Sequence, residues 1–104
     1  MKPVLATRYS AQQLAIITDQ ALLYSCACPA QLAAQIMALR ALHTDQLGCM
    51  NEAPDLLATH LRIARAAELA HAELEQALAD VLQGEGWDPV TLCMPENLRI
   101  RLEP

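Results

Sequence analysis

The sequence predicts an all-α fold: a three-helix up-down arrangement in which a short first helix joins a helical hairpin with a long third helix, followed by an irregular C-terminal arm. Three observations carry this. Hydrophobic residues make up 54% of the chain, yet there is one Trp, two Tyr and no Phe, so the apolar mass is mostly Ala and Leu, both good helix formers. Helix start and stop signals punctuate the chain at Ser10, Pro29, Gly48, Pro54 and Gly84. Apolar residues then recur at alternating steps of four and three along a stretch that neither proline nor glycine interrupts. At 104 residues, positions 1–104 read as a single helical domain.

Residues 1–9 are an irregular lead-in. Ser10 with Gln13 forms a capping box, and Tyr9 with Leu14 is spaced as a hydrophobic staple. Helix one is expected over about 11–25, with Leu14, Ile17, Ala21 and Tyr24 on one face. Helix two is expected over about 29–47. Pro29 is pre-organised for its first position, Cys28 is its N-cap, Leu32, Ile36, Leu39 and His43 share a face, and Gly48 ends it. Helix three spans about 54–83, with a stripe of Leu56, His60, Ile63, Ala67, Ala70, Leu74, Ala77 and Val81 before Gly84 and Gly86. In the arm, 85–104, Asp88-Pro89 and Met94-Pro95 mark turns. Leu98, Ile100 and Leu102 alternate with Arg99, Arg101 and Glu103 as in a short extended segment that packs on a partner subunit.

A hairpin turning near residue 50 places His43 level with His60, and Cys28 level with Leu74, one turn from His71. Helix three then overhangs the start of helix two by about ten residues, roughly 15 Å. Leu74, Ala77, Leu78, Val81 and Leu82 stay apolar there, so helix one or a second subunit must cover them. Each Ala buries little area, so the core of a lone chain is thin. A homodimer assembled through the overhang is the expectation.

The net charge of −5 and the absence of a basic stripe argue against nucleic acid and against an anionic membrane surface. The apolar run Leu14–Leu23 is broken by Thr18, Asp19 and Gln20, which makes it a poor signal-peptide core and too polar a membrane span. The chain reads as cytoplasmic, where four cysteines point to thiols, metal ligands or a redox pair before a disulfide framework.

Cys26-Ala27-Cys28-Pro29 is the most suggestive chemical motif. Two thiols two residues apart in an extended segment point the same way, and a helix N-terminus favours the thiolate. With His71 from helix three, and Glu68 or Glu75 as fourth ligand, Cys26 and Cys28 form a candidate zinc or iron site. The competing reading makes both cysteines small packed residues in a tight turn, with His71 on a polar flank. A second candidate cluster joins His43, Cys49 and His60 near the hairpin turn, against two core histidines bonded to backbone or to each other. Cys28 and Cys49 bracket helix two, about 30 Å apart, so only an antiparallel dimer could bring them to one metal. Glu68-x-x-His71 matches the Glu-x-x-His unit of di-iron bundles but occurs once, without inward Glu on the neighbouring helices. The vicinal thiols could exchange disulfides, yet no βαβ alternation accompanies them. With three glycines in total there is no nucleotide-cradling loop, and no nucleophile–base arrangement is apparent. Trp87 is expected to cap the end of the core. Two functional classes follow: a small non-enzymatic accessory protein with a metal- or redox-responsive Cys/His site, and a homo-oligomeric helical adaptor for a protein partner, whose cysteines only pack.

Overall fold

The computed structural model describes residues 5–23, 27–52 and 54–96, and it is all-helical. Helix α1 is Ala11–Ala21 and helix α2 is Cys28–Glu52; a 3₁₀ turn, Pro54–Leu56, leads into helix α3, Leu57–Glu85. The α2/α3 hairpin is the backbone of the molecule, and α1 packs on α2. Among the described residues no helix is long and apolar enough to cross a membrane.

Local chemistry starts α1 as expected. Gln13 N donates to Ser10 Oγ at 3.0 Å and Ser10 N donates to Gln13 Oε1 at 2.8 Å, the reciprocal capping box. Tyr9 packs against the core that holds Leu14, Ile17 and Ala21. The helix stops at Ala21, four residues short of the expected end, and its last turn closes through Leu22 N to Thr18 O and Leu23 N to Gln20 O. Tyr24 and Cys26 lie outside the described residues.

Two corrections concern α2. Gln31 N donates to Ala27 O at 3.0 Å, so Ala27 takes the N-cap place, Cys28 begins the helix and Pro29 follows it, fully buried. Proline is tolerated throughout a helix's first turn, because its missing N–H would have no partner there. Gly48 does not end the helix, which continues to Glu52. Glycine stops a helix when it adopts the left-handed conformation, and of the described glycines only Gly86 does, at φ 81°. The chain instead turns at Pro54, which cannot continue the backbone ladder.

Delaying the turn shifts every cross-hairpin pairing. Arg40 meets His71 and His43 meets Glu68, about two helical turns beyond His60. The face of α3 also differs. Its buried residues are Ala64, Ala67, His71, Glu75, Leu78 and Leu82. Of the expected stripe only Ala67 is among them; for the rest, burial falls mostly one position later. Polar His71 and Glu75 belong to the buried face, and a reading by hydrophobicity turns the helix away from them.

The overhang is covered within the chain. Leu78 and Leu82 pack with Leu14, Ile17 and Ala21 from α1, with Ala33 and Ile36 from α2, and with Trp87, Leu92 and Met94 from the arm. Gly86 N donates to Gln83 O and Trp87 N to Leu82 O, a Schellman ending that aims Trp87 back at Leu82. Asp88 then accepts from Val90 N and Thr91 N at 2.8 Å each, and Met94 N reaches Gln20 Oε1 on α1 at 3.2 Å. The arm is a compact turn over the core as far as Glu96; the alternating Leu98–Leu102 stretch lies outside the described residues.

This core occupies one end of a long molecule. The extents are 57 × 22 × 18 Å and the radius of gyration is 16.6 Å, against about 13 Å for a compact domain of this length. Helix α1 lies against residues Ala30 to Met37 of α2. From about Leu39 to the turn, the hairpin is a bare pair of helices among the described residues.

Candidate functional site

Charge concentrates where the irregular lead-in crosses the hairpin. The Glu75 carboxylate is 4% exposed and accepts four hydrogen bonds: Arg8 N on both oxygens at 3.0 and 2.9 Å, Tyr9 N at 3.0 Å, and Arg40 Nη2 at 3.1 Å. Arg40 Nη2 also donates to the Tyr9 carbonyl oxygen, and Arg40 Nε donates to His71 Nε2 at 3.0 Å. An imidazole nitrogen that accepts from a guanidinium carries no proton, so the His71 proton sits on Nδ1. That atom lies 3.5 Å from Glu75 Oε1, with its N–H near the carboxylate but without hydrogen-bond geometry.

His71 is fully buried, and burial pushes its imidazole below the ordinary value of 6.5. Glu75 opposes that shift; Arg40 and His43 add to it. A neutral His71 completes Arg40's set of acceptors and Glu75 neutralises its charge. The arrangement locks the lead-in, α2 and α3 in one register.

The sign of the pH dependence follows. The unfolded chain takes up a proton on His71 near pH 6.5, while the folded chain resists it to lower pH. Stability is therefore full above about 6.5 and falls as pH drops from there towards the folded value. Urea midpoints measured between pH 7.5 and 5 are expected to decline. His71→Gln, which keeps an acceptor for Arg40 without titrating, is expected to flatten the part of the slope nearest pH 6.5.

The candidate ligands are scattered through this framework. Cys28 is exposed at the start of α2, and His71 is level with Arg40, twelve residues along the helix and about 18 Å away. Glu75 and Glu68 are engaged with Arg40 and with His43 Nε2, the latter at 3.1 Å. Cys26 lies outside the described residues. In the second cluster, His43 is buried against Glu68 and His60 Nδ1 lies 2.8 Å from Gln46 Oε1. Cys49 is half-buried in the last turn of α2. Among the described residues no group of three or more His, Cys, Asp or Glu side chains could hold a metal ion. The Glu68-x-x-His71 unit is split the same way, one residue serving His43 and the other Arg40. Arg40 is the participant the sequence left unremarked, and a lone arginine on a helix otherwise poor in charge was the available signal.

Two of the concavities among the described residues bear on the cluster and on the hairpin. One, of about 390 Å³, lies under the arm and is walled by Arg8, Tyr9, Gln76, Asp80, Trp87 and Leu92. The other, of about 490 Å³, runs between α2 and α3 on the bare part of the hairpin, lined by Leu39, Leu42, Ile63, Ala66 and Ala70 with Arg62 at its edge. Leu42 in its wall is 38% exposed, and Leu69 on the outer side of α3 is 60% exposed. The uncovered groove contains Ile63 and Ala70, two members of the apolar stripe that burial against α2 passes over. Comparison with known proteins finds no matching family model, no matching curated protein and no matching solved structure.

Proposed function

We propose that the protein is a non-enzymatic, homo-oligomeric helical interaction module of the cytoplasm, whose histidines are committed to holding the helical hairpin together. The observation that carries this reading is the apolar groove left open between Leu39/Leu42 and Ile63/Ala66/Ala70 on the half of the hairpin that α1 does not reach. Full burial of one Leu or Ile contributes about 1.5–3 kcal/mol, so a face carrying several half-exposed ones is a strong drive to associate. The strongest titratable cluster is committed to holding the fold together, which supports a structural role for it.

Light scattering is expected to give a mass above that of a monomer at micromolar concentration. The melting temperature is expected to rise with protein concentration, as mass action requires for an oligomer that dissociates on unfolding, and to be unmoved by a chelator. A monomer with a concentration-independent melting temperature would sink this reading. Near-stoichiometric zinc or iron in protein purified anaerobically without a metal column would return the Cys26/Cys28 metal site in its place.

A further inference from the structure

We infer that the groove is filled by a second copy of this chain, lying antiparallel, with a two-fold axis crossing α3 between Ala66 and Leu69 so that Arg62 of each protomer meets the partner's Glu73. The inference rests on the interaction-module reading and specifies its partner and geometry.

Charge placement carries the argument. Arg62, Ala66, Leu69 and Glu73 are spaced four, three and four along α3, so they form one stripe, and all four are exposed. Its ends are a cation and an anion about 16 Å apart, and among the described residues neither makes an ion pair. A parallel pairing of two such stripes would set Arg on Arg and Glu on Glu. The antiparallel two-fold exchanges the ends and produces two equivalent Arg–Glu pairs, the self-complementary pattern that a closed dimer requires.

Packing agrees with charge. The same two-fold opposes Leu69 to Ala66, large against small, twice. Ala66 and Ala70 leave room beside Leu39 and Leu42 for an incoming apolar side chain. The product is a four-helix bundle made of two hairpins, with the three-helix cores at opposite ends.

Sedimentation equilibrium on full-length protein tests this with Arg62→Glu, Glu73→Arg and the double variant, circular dichroism confirming that each stays helical. Each single variant places two like-charge pairs in the interface and is expected to weaken dimerisation by about tenfold or more. The double variant restores it. Mixing the two single variants also restores it, because each chain then carries the charges its partner lacks. If the wild type dimerises and the single variants dimerise equally well, the antiparallel assignment is overturned and the interaction-module reading stands. If the wild type is monomeric at every concentration, both fall.

Discussion

Replacing Glu75 by alanine is expected to lower the unfolding free energy by about 3–5 kcal/mol, the range for breaking a buried ion pair by removing one partner. The loss has two sources. Arg40, whose side chain is 15% exposed, keeps the Tyr9 carbonyl and His71 Nε2 as acceptors but loses the carboxylate that, among the described residues, neutralises it. The Arg8 and Tyr9 amides lose their acceptor at the same time, so the lead-in is released from α3. For a domain with 5–15 kcal/mol in total, that is a large fraction. Urea unfolding followed by far-ultraviolet circular dichroism reads the cost, and hydrogen exchange at the Arg8 and Tyr9 amides is expected to accelerate beyond what the global loss explains.

A second variant separates charge from packing. Pairing Glu75→Ala with Arg40→Met removes the stranded cation and is expected to recover part of the loss, since an uncompensated buried charge is costlier than an apolar replacement. Should Glu75→Ala cost less than about 1 kcal/mol, the level of an exposed ion pair, the cluster would not be what fixes the hairpin register.

The elements differ in how far their sequence revealed them, and the difference is physical. The start of α1 was legible because a capping box is a contact between residues three apart, complete within the local sequence. The existence and hairpin pairing of α2 and α3 were legible from composition and spacing. The end of α2 was not, because Gly48 permits a helix stop without imposing one; only the backbone angle distinguishes Gly48 from Gly86. That five-residue difference then moved every cross-hairpin neighbour and separated Cys28 from His71. The face of α3 was misread for a related reason. His71 and Glu75 are buried because Arg40 and the lead-in backbone satisfy them, and those partners lie more than thirty positions away. The misassigned stripe kept some value, since Ile63 and Ala70 line the open groove.

Trp87→Ala is the other substitution expected to cost about 3–5 kcal/mol, the range for deleting a buried aromatic side chain. Trp87 is 5% exposed although it follows the last helix, and it joins three parts of the molecule. The Schellman ending at Gly86 turns it onto Leu82, the arm returns Leu92 and Met94 against the same core, and its Nε1–H donates to Glu85 Oε1 at 2.9 Å. Leu92 holds a left-handed backbone at φ 61°, an unfavourable state for a side chain of its size unless the surroundings fix it. Its burial beside Trp87 supplies that fixation. Removing the indole therefore releases the turn as well as opening a cavity, and the arm is expected to lose protection from proteolysis before the hairpin unfolds. Trp87→Phe keeps most of the buried area and loses only the hydrogen bond and part of the volume, so its cost should fall nearer about 1–2 kcal/mol. Urea unfolding by circular dichroism, with limited proteolysis of the folded state, separates the two effects. An alanine variant as stable as the wild type would show that the arm rests on the core without contributing to it, and Leu92 would then need another source for its strained backbone.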